Sequence, residues 1–552
     1  MSFHFFSGLL KRCGSHRLMR IMRGYRFLKV SKSLNRIIDI KRAMTTQPLE
    51  MKEEQFSKYI LRDSITQAEV ICRQYLLTRV AGLNMNRALL YALGKPGSPV
   101  AYYLPPEWRK IIRKQGFKIA AFRMALLWNA FIGMMLAYGV LIIAKIIING
   151  MKAAYIKSTQ KLGRYVYFNA LTPGNLPQPC RDGRSHDIIT WYMKWPARVS
   201  NIDTLCHGVV GTKPRAVNGT PIVTILSPVR PLMRFGSLAR FITWGIGASL
   251  SATWDFLRGR WWHALLLNQA AIAAQVRMQD PERLAKDYLF HNSDSIYRPL
   301  WTYEAERRGA RITFYFYSTN NERFKRTEGY PPLTYGFQAM NWPHYLVWNE
   351  SQADFVRRAV GDTVNISIVG QIWFATSVEE MPTFSGQGVA VFDITPTRSS
   401  LYQTLGLDFE FYVPGTCIPF LHDIQQVTKD AGYVMLWKRK RKLKNESSFA
   451  HPAYITFAET LSEAKNVIIV DPDISANRVI EASKLVISMP FTSTALIARE
   501  LGKPSCYYDP TGLIQKDDRA AHGIEVISGP EELASWLKAI PVEPCRSEAI
   551  VN

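Results

Sequence analysis

Ser488-Met-Pro-Phe-Thr-Ser-Thr-Ala-Leu-Ile-Ala-Arg-Glu-Leu-Gly-Lys-Pro-Ser-Cys-Tyr-Tyr-Asp509 reads as strand, hydroxyl-rich turn, helix and a second strand. Val486-Ile487-Ser488 is a short apolar run with β-branched residues, and Thr494 to Leu501 has helical spacing. The hydroxyls of Thr492, Ser493 and Thr494 therefore fall at a helix start. Unpaired backbone N–H groups and the positive end of the helix dipole favour an anion at such a place. Two readings of this turn stand together, a helix cap and a phosphate cradle.

The strand–helix–strand unit continues upstream. Short β-rich runs alternate with helical stretches from about residue 185, at Pro221–Ser227, Arg311–Ser318, Tyr345–Trp348, Asn365–Val369, Val389–Asp393, Tyr433–Trp437, Val467–Val470, Leu485–Ser488 and Ser505–Tyr508. Such alternation implies parallel α/β sheets. Ser377–Gly388 breaks the pattern with polar residues, Pro382 and Gly386, so the expectation is two α/β domains, residues 151–380 and 385–545, with a ligand cleft between them.

The remaining third of the chain has another character. Residues 1–43 hold eleven Lys or Arg and a single acid, Asp39, which suits a basic arm on anionic lipid, and residues 1–117 are read as a basic helical region. Met124 to Ala144 is uncharged and bounded by Arg123 and Lys145, so residues 118–150 are expected to associate with a membrane, as a span, a re-entrant segment or an in-plane helix, with a buried core helix as the alternative. Phe241–Trp254 and Trp261–Ala274 are Trp-rich apolar stretches that fit either an interfacial surface or a core.

Composition narrows the class. With 47% hydrophobic and 12% aromatic residues the chain is a folding sequence, and 552 residues suffice for large cores. The net charge of +25 calls for an anionic partner: membrane, nucleotide or nucleic acid. The seven cysteines are scattered without a CxxC pair, which argues against a disulfide framework or a zinc site and for a reducing compartment. No recognised nucleic-acid module accompanies the charge.

Other residues able to do chemistry gather at expected strand ends. Tyr433-Val-Met-Leu-Trp-Lys438 runs into six cations within seven residues, and Lys438 or Arg439 at the strand edge suits a diphosphate or monophosphate. His451-Pro452 follows; a loop histidine donates to phosphate or protonates a departing oxygen. Asp294 and Glu304, in Phe290-His-Asn-Ser-Asp294 and the segment after it, are the candidates for a general base, and either equally suits a helix cap or a partner for Arg298. Gly370 permits close approach of backbone or ligand. Asp471-Pro-Asp473 spells a metal-binding pair and equally a turn with a helix cap; the expectation is chemistry without a metal or other cofactor.

Taken in order, Tyr297-Arg-Pro-Leu-Trp301, Phe316-Tyr-Ser-Thr-Asn320, Tyr345-Leu-Val-Trp-Asn349, Val369-Gly370, Phe392-Asp-Ile-Thr395 and Pro490-Phe-Thr-Ser493 resemble the bacterial polysaccharide-biosynthesis proteins named for their Pro-Phe-Thr-Ser motif, over roughly residues 285–512. The resemblance implies two facing Rossmann-type domains, the GT-B architecture, and a glycosyltransferase using a nucleotide-sugar. The His-Pro pair and hydroxyl-rich turn are also distantly similar to the donor site of bacterial sialyltransferases and Kdo transferases. That likeness implies a CMP-sugar phosphate held by His451 and by Ser493 or Thr494. The expected protein transfers sugar to a glycan or lipid-linked acceptor at the cytoplasmic face of a bacterial inner membrane. The rival readings are a non-catalytic scaffold or carbohydrate-binding subunit, nucleic-acid binding, and a nucleotide-sugar epimerase.

Overall fold

The computed structural model describes residues 34–49, 51, 55–61, 68–95, 97–156, 162–177, 187–212, 215–292, 297–319, 322–333, 335–372, 380–396, 411–439 and 450–540. Most of the basic arm, Asp294 and Lys440–Lys444 lie outside them.

Two α/β sheets organise the chain. The first contains β1 (Tyr165–Phe168), β2 (Thr204–His207), β3 (Arg215–Val217), β4 (Thr220–Thr224), β5 (Asp287–His291), β6 (Arg311–Tyr315), β7 (His344–Val347) and β8 (Asn365–Ile368), in the order β3-β4-β2-β1-β5-β6-β7-β8. Every pair in it is parallel except the β3–β4 hairpin. The second contains β9 (Gly388–Phe392), β10 (Val434–Lys438), β11 (Val467–Val470), β12 (Leu485–Ser488), β13 (Ser505–Asp509) and β14 (Glu525–Ser528), all parallel in the order β11-β10-β9-β12-β13-β14. In both, the chain builds outward from one central strand and then returns to its other side. The strand order reverses between β1 and β5 in one sheet and between β9 and β12 in the other, and such switch points leave a crevice at the C-terminal edge.

The central strands are apolar on both faces, as parallel strands covered by helices must be. Gly-Val-Ala-Val-Phe of β9, Leu-Val-Ile-Ser of β12 and Tyr-Val-Tyr-Phe of β1 are buried throughout. One expectation needs correction here, and one open reading is decided. The α/β region begins at Tyr165 rather than near residue 185, and the missed β1 lies inside the first sheet; β2, β3, β5 and β14 also form where no strand was expected. Four of the five residues of β5 are buried, and it pairs with β1 and β6. Trp262–Met278, read as interfacial or core, is core: buried over nearly its whole length, it packs under the long helix Ala121–Ile156.

The N-terminal helices, including Leu34–Thr46, Ala68–Arg79 and Pro106–Lys114, join these apolar helices and one face of the first sheet in a common core. Arg36 fastens the first of them to the end of Pro106–Lys114, with Nε donating to Gln115 O (2.8 Å) and the guanidinium over the Phe117 ring.

Candidate active site where the sheet edges meet

After β12 the chain turns through Met489–Thr492 into the helix Ser493–Glu500. Met489 N–H donates to Phe392 O (2.8 Å), so the turn springs from the β9–β12 switch point. Phe491 has φ +63°, a left-handed backbone that costs a non-glycine residue of order 1–3 kcal/mol unless its surroundings enforce it. They do so here. The Phe491 ring lies 4.9 Å from Phe324 and 5.4 Å from Tyr507, Tyr412 OH donates to Pro490 O (2.8 Å), and Tyr507 OH donates to Thr492 O (2.9 Å).

Thr492 occupies the N-cap position, yet its side chain does not cap the helix. Its hydroxyl donates to Met489 O (2.9 Å) and meets Thr494 Oγ1 at 3.1 Å, and Thr494 Oγ1 meets Ser488 Oγ at 2.8 Å. The hydroxyls thus form a chain around the turn while the helix start keeps its positive end uncapped by a side chain. Ser493 faces the other sheet, where its Oγ accepts from Thr319 N–H (3.1 Å) and lies 3.2 Å from Thr319 Oγ1.

On the β9 side of the same switch point stands Asp393, buried immediately beyond the strand. Burial raises its carboxyl to about 6, against the pull of hydrogen bonding from Tyr454 and the charge of Arg439. Tyr454 and His451 share the first turn of the helix Pro452–Leu461. His451 N–H donates to Pro396 O (3.1 Å), and His451 Nδ1 accepts from Ala453 N–H (3.2 Å), which makes the ring the helix cap. Arg439 stacks on Trp437 at 5.4 Å.

Lys438 turns elsewhere. It is buried, its Nζ donates to Pro472 O (3.0 Å), and burial pushes it down to about 8 against the attraction of Asp471, Asp473 and Asp393. Asp471 closes a turn by accepting from Asp473 N–H (2.8 Å), and Ser475 caps the helix Ala476–Glu481. Among the described residues no group of three or more His, Cys, Asp and Glu side chains is arranged to hold a metal.

The first sheet presents a matching edge. At its switch point Asn169 N–H donates to Leu289 O (2.9 Å), Ala170 adopts φ +55°, and His291 Nε2 lies 3.4 Å from Ala170 O. The His291 ring sits 5.6 Å from Tyr315 and 6.0 Å from Tyr317, and Tyr317 N–H donates to Asn292 Oδ1 (3.3 Å). The Tyr315 hydroxyl is buried with no hydrogen-bond partner among the described residues, an orphaned polar group at a ligand-type edge. Asp294 follows this segment outside the described residues. Glu304 is on the helix Leu300–Arg307, nearly buried and paired with Arg307 (3.3 Å). Its surroundings are those of a helix packed on Trp262–Met278, not of a strand end, so the expectation of a base at Glu304 gives way to a structural ion pair. Gly370 follows β8 with φ +73° and open space where a Cβ would stand.

The two edges touch. Beyond Thr319–Ser493, Asn349 Oδ1 lies 3.0 Å from His522 Nδ1, Lys325 N–H donates to Asp518 Oδ2 (2.7 Å), and Glu322 receives Arg519 (3.0 Å) as well as Arg358. The structure therefore brings Thr492, Ser493, Thr494, Arg439 and His451 to one sheet edge and Gly370 to the facing one, while Lys438 is directed toward the acid-bearing turn after β11. Sequence reading had not assigned roles to Asp393, Tyr454, Thr319, His291 or Tyr315. An acid directly after a buried strand was the signal available for Asp393.

No curated protein matches the chain. Among solved structures it is similar to the crystal structure of a glycosyltransferase from Rickettsia africae ESF-5, at 10% identity and TM-score 0.34 over 68% of this chain and 87% of that one, a likeness too distant to carry an argument. The family model described as "Polysaccharide biosynthesis PFTS motif protein" matches residues 244–537, more than half of the chain, including β5–β8 of the first sheet, the whole second sheet and the Pro490–Ser493 turn. The chain belongs to the PFTS-motif family of polysaccharide biosynthesis proteins.

Proposed function

We propose that the protein is a membrane-associated glycosyltransferase of GT-B type that transfers a sugar from a nucleotide-sugar, CMP-linked by the resemblance of its His-Pro and hydroxyl-rich segments, to a glycan or lipid-linked acceptor of surface polysaccharide. The observation that carries it is the meeting of two sheet edges through Thr319 and Ser493, which would put a donor side and an acceptor side next to each other. On the donor side, the helix start at Thr492–Thr494 with Arg439 and His451 would stabilise the negative charge developing on the leaving phosphate, a task that needs no metal. Asp393 would hold Tyr454 and Arg439 for that task. On the acceptor side, the His291–Asp294 segment would supply the base, with Tyr315 as a hydroxyl partner. Membrane attachment at the cytoplasmic face of a bacterial inner membrane would bring a lipid-linked acceptor to this edge.

The test is a thermal-shift panel of UDP-, GDP-, CMP- and dTDP-linked sugars beside Ser493→Ala and His451→Ala, followed by donor hydrolysis with the nucleotide that binds. Stabilisation by one nucleotide, lost in both variants, supports the reading. One observation favours a non-catalytic scaffold: Ser493 Oγ is already engaged by Thr319. A protein that binds glycan but neither binds nor hydrolyses any nucleotide-sugar would establish that second reading.

A further inference from the structure

Ala121–Ile156 runs for 36 residues, about 54 Å at 1.5 Å per residue, well beyond the roughly 30 Å of a hydrocarbon core. Along one side it buries Met124, Trp128, Ile132, Met135, Ile143 and Ile146, in steps of three and four apart from one double step across Gly139, where a Cβ would meet Leu267. That stripe fastens the helix to the body of the protein from its first turn almost to its last. Its opposite side is bare and apolar, with Leu126 61%, Leu141 63% and Met151 50% exposed.

A second helix, Phe235–Leu257, lies beside it. Gly133 approaches Phe256, Gly245 approaches Ile143, and Gly150 approaches Leu238, so the two run antiparallel with glycines allowing close contact. The second helix exposes Ile246, Leu250, Trp254 and Leu257 in one stripe, at the levels where the first exposes its own. The paired face is framed by cations. Arg123, Lys145 and Lys152 are the only charges on the first helix; the second has Arg240 and, at its end, Asp255, which is engaged by His263 (2.7 Å) and Arg260 (3.6 Å). Arg258 stacks on the exposed Trp254 at 4.5 Å, the pairing of aromatic and cation that suits a headgroup layer. A second copy of the chain docking here two-fold would set this excess of cations against itself, whereas an anionic bilayer meets both the charge and the grease.

We propose that these two helices form an in-plane platform that docks the protein on one leaflet of an anionic bilayer, without crossing it. The proposal rests on the membrane clause of the function above and not on its chemistry. It is tested on the full chain by co-sedimentation with phosphatidylcholine vesicles, with and without phosphatidylglycerol, and by membrane-impermeant maleimide labelling of Phe122→Cys and Tyr155→Cys, residues near the two ends of the long helix. The expected result is binding to phosphatidylglycerol vesicles that falls at least tenfold in Leu141→Asp/Leu250→Asp, with unchanged circular dichroism and unchanged nucleotide stabilisation. Both cysteines should then be labelled in inside-out membrane vesicles and neither in intact cells. Labelling of the two ends from opposite sides establishes a span and overturns the proposal. Absence of vesicle binding also overturns it, as does a dimer in sedimentation velocity that the double substitution dissolves. None of these outcomes bears on donor hydrolysis, which tests the function separately.

Discussion

Asp393 is a buried carboxyl at the end of β9, beside the proposed donor edge. Its value of about 6 lies above the ordinary 3.8, so folding favours its protonated form; the stabilisation is present below pH 3.8 and is lost as pH rises through about 6. The gap corresponds to about 3 kcal/mol. Asp393→Asn is accordingly expected to flatten the loss of thermal stability between pH 4 and 6, and at pH 7 to melt no lower than the parent while losing most donor turnover; a melt lower at every pH would show the carboxylate to be a net structural support. At the turn, Ser493→Ala and His451→Ala should each lower donor turnover about a hundredfold, the cost of removing one group that stabilises transition-state charge, with the melting temperature little changed. His451 was singled out as a candidate through a family resemblance, whereas Asp393 was not singled out as a site residue at all. Burial and the approach of Tyr454 arise from elements sixty residues apart in the chain, and no local pattern encodes them.

Elements divide the same way. The strands at Val467–Val470 and Leu485–Ser488 have the bounds expected from their apolar runs, and β7, β8, β9 and β10 differ from expectation by only a residue at their ends. β1 and β5 escaped notice because Tyr165-Val-Tyr-Phe168 and Asp287-Tyr-Leu-Phe-His291 are short and aromatic, without the alternation or β-branched run that marks a strand. What makes them strands is pairing with each other and with β2 and β6 across long stretches of chain. Likewise Phe235–Leu257 and Trp262–Met278 share a Trp-rich apolar composition, yet one lies at the surface and the other in the core. Gly139 is the point where helix packing is least forgiving. Gly139→Val should destabilise the protein by about 1–3 kcal/mol, seen as a lower denaturant midpoint, because a Cβ would fall 2.7 Å from Leu267 Cβ.

For the whole molecule the decisive contact is the seam between the two sheet edges. His522 is buried there against Asn349, and burial with the nearby Arg499 and Arg358 lowers it to about 4. The seam's stability from a neutral His522 is present above pH 6.5 and is lost as pH falls through about 4, so scattering should record an opening of the two units over that interval that His522→Gln lessens. Glu322→Ala, which leaves Arg519 and Arg358 without their shared acceptor, should loosen the seam by about 2 kcal/mol and raise the KM for acceptor more than it lowers kcat. The sequence by itself determined the α/β class, most of the strands of the second sheet, the position of the hydroxyl-rich turn and the apolar character of residues 124–144, since each is written in local periodicity and residue chemistry. Only the tertiary structure decided which strands are central, which apolar helix is core and which is surface, and that Asp393 and the Pro490–Ser493 turn stand at one switch point. Those are matters of which distant segments exclude water together, and that free energy belongs to pairs of segments rather than to any one of them.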